Sequence, residues 1–501
     1  MRWFGAALVF TLALRLLTLG SYPLMDTSEA RYGEIVRIMQ LTGDWVSPQE
    51  TVGTPFWAKP PLYAWLGTAS ADLFGLGELA LRLPSFLCGL GVLLLCQRWA
   101  AALQAAGDRP SSAGRQAVHP QRAGEGAPLL SCLVLATMVL FFVGFGAVMT
   151  DPSLALCTTW MMVAFQRAVI DGSPSLLWRY GFFVAAGLAM LAKGPVAFLY
   201  VGLPILLWAA WRGRIASTWR ALPWIGGAAL SALICLPWYA WAESRTPGFL
   251  NYFLIGEHIM RFVHPGWSGD RYGNAHSEPI GTIWAYLAGA LGLWSLALAA
   301  LLRPARGWLA RATSYLQDDA RLFAVLSAFA PLLVFTFARN LIWTYVMPAL
   351  PPMAVLLGQE LARRSARPGP WRQGLYALVA LSVLLLAIGA VAWAPMRATG
   401  SSYAVPVAAW HAREQSRPGP LLYWGARAPA SLRFYSRGAA VPTPDLAARL
   451  QQLQPGARLY VAIDIERLPA LRQLAYTQPV ALDLQVVNQV KHALIAEVAP
   501  R

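Results

Sequence analysis

Lysine is scarce in this chain. Of 40 basic residues among 501, only Lys59, Lys193 and Lys491 are lysine, and charged residues of every kind amount to 13%. Soluble globular chains carry about a quarter, so disorder and an ordinary water-soluble enzyme are both excluded. Acid is short as well: 24 Asp and Glu leave a net charge of +16. No basic block or basic helical stripe accompanies that excess, which argues against nucleic acid as a partner. Cysteine is limited to Cys88, Cys96, Cys132, Cys157 and Cys235. All five fall in apolar segments and none has C-x-x-C spacing, so neither a disulfide framework nor a zinc ribbon is expected.

What the chain has in abundance is apolar surface, 57% hydrophobic residues with 22 Trp. Apolar runs near the ~20 residues needed to cross a bilayer recur along it. About eleven spans are expected, at 3–20, 83–103, 128–148, 153–170, 177–192, 196–211, 222–241, 280–302, 322–338, 341–358 and 375–396. The segment 3–19 does not read as a cleavable signal, because Arg15 interrupts it and no A-x-A site follows. Arginines gather in short connectors: Arg109, Arg115, Arg122; Arg212, Arg214, Arg220; Arg303, Arg306, Arg311, Arg321; Arg363, Arg364, Arg367, Arg372. The positive-inside rule makes these cytoplasmic, with the N-terminus on the same side. An odd number of spans then puts everything after 396 outside.

Three outer regions are too long for simple turns. The loop 21–82 holds helical stretches at 28–41 and 61–74, rich in Trp and Tyr, as in helices lying at a membrane surface. The second region is 242–279. The third is the tail 397–501, with strand-like runs at 421–424, 459–463, 480–487 and 493–498 and helical runs at 446–453 and 468–474. It reads as a small soluble α/β domain. The expected fold class is thus a mostly α, polytopic membrane protein, divided into a membrane part, 1–396, and a C-terminal outer domain, 397–501. The Gly-, Pro- and Arg-rich stretch 107–128 is expected to be a disordered cytoplasmic loop, and no fixed-period repeat is evident.

Since arginine serves wherever a bare positive charge suffices, Lys59 and Lys193, both on the outer side, point to a compact ammonium making point contact with phosphate. Just beyond the first span, Asp26, Glu29, Arg31 and Tyr32 form a polar cluster suited to a phosphorylated lipid. The spacing of Asp26 and Glu29 also matches a capping box opening the next helix. Asp151, followed by Pro152, equally suits a helix start or the functional carboxylate often found beside a span. In the second outer loop stand His258, His264 and His276, at spacings that match no zinc motif. Glu257 and Arg261 form an i,i+4 pair there. Arg339 and Tyr345 lie near the outer end of a span.

As a set, DTSEARYGEI (26–35), GDWVSPQ (43–49), FWAKPPLYAWL (56–66) and ELALRLPS (78–85) resemble the first loop of bacterial aminoarabinose transferases, which modify lipid A. TDPSL (150–154), LAKGP (191–195), EHIMRF (257–262) and RNLIWTYVMPALPP (339–352) follow in the family's order. The resemblance covers about residues 1–360 and the tail only loosely. It extends to protein O-mannosyltransferases and other GT-C glycosyltransferases, membrane enzymes that use polyprenyl-phosphate sugars. Two departures stand out. The family reads Asp-Glu-x-Arg-Tyr, whereas here Ser28 precedes Glu29 and the other acid is Asp26. The transferases also read Glu-Lys-Pro-Pro, that Glu being a metal-site residue; here it is Ala58. A zinc ion is therefore not carried over, and a divalent metal stays open with His258 as its nearest ligand candidate.

The resemblance implies inverting glycosyl transfer on the periplasmic side of a bacterial inner membrane. Arg31, Lys59, Lys193 and Arg339 would bind the polyprenyl phosphate of the donor. Asp26 or Glu29 would act as base, with Asp151 as a further catalytic carboxylate, and Tyr32, Glu257, His258, Arg261 and Tyr345 would contact substrate. The acceptor is lipid A, another envelope glycan or a protein hydroxyl, the partners otherwise are membrane lipids, and the protein is expected to be a monomer. A transporter or flippase is the rival from another class. It would show repeats and polar residues at mid-membrane, whereas these polar motifs collect at one face.

Overall fold

A computed structural model describes residues 1–107, 126–264, 266–273, 276–302, 313, 315–454, 457–477, 482–491 and 493–500. The loop expected at 107–128 lies outside the described residues over 108–125, with Arg109, Arg115 and Arg122. So do Arg303, Arg306, Arg311 and the first two residues of the strand expected at 480–487.

Helices dominate, but the stretches expected to cross the membrane are unequal. Five described helices are long and apolar enough to cross a bilayer unbroken: Glu78–Ala105, Asp151–Ile170, Leu176–Lys193, Trp224–Arg245 and Pro370–Gly400. A bent pair, Thr282–Leu291 and Trp294–Leu302, meets at 114° around Gly292, whose φ of +59° suits glycine. The other five are shorter or broken. Arg2–Thr18, Val196–Trp211 and Asp319–Phe335 are 16 or 17 residues long. The stretch 128–148 is two helices, Ala127–Ala136 and Val139–Gly144, because Met138 is extended between them. At that break Thr137 accepts a hydrogen bond from the Trp294 indole, 3.0 Å away. The stretch 341–358 begins as a 3₁₀ turn, Trp343–Ala349, before the helix Leu350–Ser365. Pro348, Pro351 and Pro352 supply no backbone N–H to an α-helix there.

The helices share one apolar core in which Trp99, Trp208 and Trp294 are fully buried. Close approach depends on small residues. A Cβ on Gly358 would lie 2.6 Å from Ser131 Cα and 2.7 Å from its nitrogen, both rigid backbone.

In the first outer loop the helix Ser28–Thr42 is followed by a short hairpin, β1 (Gln49–Thr51) and β2 (Thr54–Pro55), and the helix Leu62–Phe74. The tail carries β3 (Leu421–Tyr423), β4 (Val441–Pro442), β5 (Leu459–Asp464), β6 (Leu482–Val490) and β7 (Ala493–Pro500) in one sheet of order β4-β3-β5-β7-β6. β3 pairs parallel with β4 and β5, and β7 antiparallel with β5 and β6. β5 reads LYVAID, buried along its whole length but the last residue, because both faces are covered. Ala404–Glu414 packs on one face through Val407 and Trp410; Leu446, Leu450 and Leu471 cover the other. Beyond the expected elements, Ala404–Glu414 and Ala430–Tyr435 are additional helices.

Gly358→Ala should force Ala127–Ala136 and Leu350–Ser365 apart at a cost of about 1–3 kcal/mol. The unfolding temperature of detergent-purified protein should fall accordingly. An unchanged temperature would show that the two helices part without strain.

Candidate functional site

Six of the residues singled out from sequence line one cavity of about 340 Å³: Lys59, Lys193, Glu257, His258, Arg261 and Tyr345. They come from four separate stretches of the chain. Lys59 sits at a bend after β2, followed by Pro60 and Pro61 ahead of the helix Leu62–Phe74. Lys193 is the last residue of Leu176–Lys193, where a positive charge complements the helix dipole. Gly194 ends that helix at φ +83°, and a Cβ there would strike the Phe253 ring at 2.6 Å. Glu257 and His258 belong to a π-helical segment, Asn251–Met260, and Arg261 follows it. Tyr345 comes from the 3₁₀ turn Trp343–Ala349, its carbonyl accepting from Tyr200 Oη at 2.6 Å.

Two ion-pair systems organise the charges. The Glu257 side chain, 3% exposed, accepts from Lys59 Nζ at 3.0 Å, from Arg261 Nη1 at 2.8 Å and from Tyr252 Oη at 3.0 Å. Burial would raise its pKa, but Lys59 and Arg261 outweigh that and hold the carboxyl at about 2. Arg261 also reaches Asp270 at 3.3 Å. Asp151 Oδ1 lies 2.6 Å from Lys193 Nζ, which stands 4.9 Å from the Tyr345 ring centre. Asp151 is the first residue of its helix, with Thr150 at the cap, so its side chain goes to the lysine and makes no cap hydrogen bond. Lining the cavity are three cations against one carboxylate, because Asp151 and Asp270 stand behind the groups they pair with. Its other wall is apolar: Leu154, Val196, Leu199, Val334 and Phe335. A surplus of positive charge beside an apolar wall suits a phosphate attached to a hydrocarbon chain.

His258 presents Nδ1 to the Phe253 carbonyl at 2.8 Å and Nε2 to the Lys193 carbonyl at 3.2 Å. Burial lowers its pKa, so the ring is neutral at pH 7 and donates one of these bonds. Both nitrogens face backbone oxygen, Ala58 replaces the family's acidic residue, and no three His, Cys, Asp or Glu side chains cluster among the described residues. This donor set does not fit a metal ion.

The remaining candidates lie elsewhere. Glu29 is buried against Arg82, which is 0% exposed, in a bidentate pair at 2.7 and 2.9 Å, and accepts from the Val148 and Met25 amides. Neither it nor Asp26 forms the expected capping box: Thr27 is the cap residue of Ser28–Thr42 and no side chain caps it. Asp26 instead accepts from the Ser431 amide at 2.9 Å and from Ser431 Oγ. Burial raises its pKa against those hydrogen bonds. Arg31 is 3.5 Å from Glu50, and both, with Asp26, line a second cavity of about 540 Å³ against the tail. Tyr32 packs on Tyr63, ring centres 4.7 Å apart. Burial raises its hydroxyl pKa, with the charge of Asp151 adding to the effect and that of Arg31 opposing it. Arg339 is exposed outside the first cavity, while its neighbour Asn340 lines it. His264 and His276 are exposed. Glu50, Ser431, Arg427 and Arg433 lie outside the motifs read from the sequence and carried no signal of their own.

Comparison with known proteins adds to this geometry. A sequence model described as dolichyl-phosphate-mannose-protein mannosyltransferase matches residues 121–241. The undecaprenyl phosphate-alpha-4-amino-4-deoxy-L-arabinose arabinosyl transferase of Aeromonas hydrophila is 30% identical over 395 residues, 75% of this chain and 64% of that protein. The arabinosyl transferase 1 of Sodalis glossinidius is 30% identical over 418 residues, 79% of this chain and 67% of its own length. This chain belongs to the aminoarabinose transferase family. The region matched spans about two thirds of those relatives' length. The fold of an aminoarabinose transferase extends further: the crystal structure of ArnT from Cupriavidus metallidurans bound to undecaprenyl phosphate superposes with a TM-score of 0.76. It covers 99% of this chain and 98% of its own at 19% identity, so the likeness is one of fold.

Two measurements check these roles. Glu257 has a depressed pKa, so its contribution, on the order of 3 kcal/mol, is complete above pH 4.5 and is lost as pH falls toward 2. The unfolding temperature should drop more steeply over that window in wild type than in Glu257→Gln; parallel profiles would contradict the ion-pair assignment. Glu29→Gln leaves Arg82 buried and unpaired and should cost roughly 3–5 kcal/mol of stability. Undiminished stability with lost turnover would return Glu29 to the chemistry.

Proposed function

We propose that this protein transfers 4-amino-4-deoxy-L-arabinose from undecaprenyl phosphate to a phosphate of lipid A, at the periplasmic face of a bacterial inner membrane. The proposed topology has eleven crossings, a cytoplasmic N-terminus and a periplasmic tail, with 1–396 as the transferase domain and 397–501 as a soluble domain. The observation that carries this reading is the cavity itself: Lys59, Lys193 and Arg261 line it together with the apolar side chains of Leu154, Val196, Leu199, Val334 and Phe335. The names of the relatives supply the sugar and the carrier.

In this reading the carrier phosphate lies among the three cations and its prenyl chain runs along the apolar wall. As the bond between sugar C1 and the phosphate oxygen breaks, the electron pair stays on the phosphate, where the preset cations stabilise it. The acceptor oxygen forms its bond to C1 from the opposite face. Glu257 and Asp151 keep the cations in place and are themselves consumed by ion pairs. Among the described residues lining this cavity no carboxylate is left over as a general base. A phosphate acceptor, already ionised at neutral pH, needs none, whereas a hydroxyl acceptor does. This favours lipid A phosphate over the protein-hydroxyl acceptor of the mannosyltransferase reading.

Purified protein given the lipid-linked sugar and lipid A should form a glycosylated product detectable by mass spectrometry. Lys59→Ala with Lys193→Ala should lower turnover by about 10²-fold or more while folded protein is retained. Full turnover in that double variant would contradict the proposal, and the absence of any glycosidic product in wild type would favour a transporter.

A further inference from the structure

The larger cavity, about 540 Å³, is built by two segments nearly 400 residues apart in sequence: the first outer loop contributes Asp26, Arg31 and Glu50, and the tail contributes Arg427, Arg433 and Asp464. Its size is that of a small-ligand pocket. Three guanidinium groups converge on the single buried carboxylate of Glu50. Arg427 contacts it directly, Arg31 stops at 3.5 Å and Arg433 at 3.9 Å. One carboxylate cannot use the donors of three planar forks. The surplus is visible in Arg433, which is 7% exposed, donates Nη1 to the Glu50 carbonyl at 2.5 Å and leaves Nε without a partner. Burial lowers its pKa; Glu34 and Glu50 oppose that shift, and Arg427 and Arg31 add to it. Arg427, by contrast, is half exposed and open to a ligand.

The two cavities differ in chemistry. The first sets Lys59, Lys193 and Arg261 beside an apolar wall, while the cations of this one are arginines only, the side chain whose fork matches phosphate oxygens two at a time. They are also neighbours. Tyr272 lines the arginine cavity and its hydroxyl accepts from the Trp57 amide at 2.9 Å, two residues before Lys59.

We infer that the cavity formed by Arg31, Arg427 and Arg433 is where the acceptor docks, through a phosphate monoester held by arginine forks, so that the tail takes part in acceptor recognition. This rests on the transferase reading above. It takes Arg31 out of donor binding and gives it to the acceptor, and it leaves Asp26, fixed on Ser431, as a wall of the docking site.

The test is binding of diphosphoryl lipid A to the full-length protein in nanodiscs, alongside undecaprenyl phosphate. Arg427→Gln, at a half-exposed position that leaves the fold intact, should weaken lipid A binding by about tenfold and leave undecaprenyl phosphate unchanged. Arg472→Gln, an exposed tail arginine outside the cavity, should alter neither. Dephosphorylated lipid A should bind wild type and Arg427→Gln alike. Unchanged lipid A binding in Arg427→Gln, or equal weakening in Arg472→Gln, would overturn the inference. So would inorganic phosphate that binds through Arg427 without competing against lipid A, since the site would then serve free phosphate. Sugar transfer is measured separately. Arg427-dependent binding without any transfer by wild type would remove the transferase reading and keep the docking site; transfer with Arg427-independent binding would do the reverse.

Discussion

The arrangement of this protein's cation-lined cavity depends on one carboxylate. Glu257 is almost wholly buried, and burying an ionised carboxylate is costly unless it is paired. Lys59 and Arg261 pair with it from two separate stretches of chain, at 3.0 and 2.8 Å. The pairing works in both directions. The cations keep Glu257 ionised, and Glu257 brings two cations together that would otherwise repel each other. With Lys193, paired to Asp151, lining the same cavity, the result is a set of cations fixed in place before any ligand arrives. Preset charge of this kind needs no reorganisation as a leaving group becomes more negative.

A second consequence is a division of labour among the acids. Glu29 and Glu257 are both committed to cations, and Asp151 to Lys193. Asp26 is held by Ser431, about 400 residues later in the chain. The tail thus reaches the motif that follows the first span: Tyr435 Oη lies 2.7 Å from both the Leu24 amide and Glu78, and Arg433 meets the hairpin at Glu50. The tail that carries the sheet is joined to the helical part by specific polar contacts made beside a cavity.

Much of this was legible in the sequence, for physical reasons that differ by residue. Lys59 and Lys193 stood out because lysine is nearly absent elsewhere. Glu257, His258 and Arg261 fell in one short run, and a cavity-lining run on one helical segment keeps its members together. The strands of the tail were legible from apolar runs such as LYVAID, buried on both faces. What the sequence concealed is what depends on contacts between distant segments. Glu29 looked like half of a capping box because its spacing from Asp26 is right; its actual partner, Arg82, is 53 positions away. Arg31 looked like a companion of Lys59, and Glu50 draws it instead into the neighbouring cavity. The breaks at Met138 and in the Pro-rich 343–352 segment were hidden because hydropathy registers apolar length and not backbone geometry.

The central claim is that Glu257 acts by holding Lys59 and Arg261 in place, and it opposes what net charge alone would forecast. The direct measurement is the affinity of Glu257→Gln for undecaprenyl phosphate in nanodiscs at neutral pH. Removing a negative charge from the cavity should strengthen binding of an anion if charge alone mattered. The account predicts weaker binding, by about tenfold, because the two cations lose their shared anchor. Tighter or unchanged binding would contradict it.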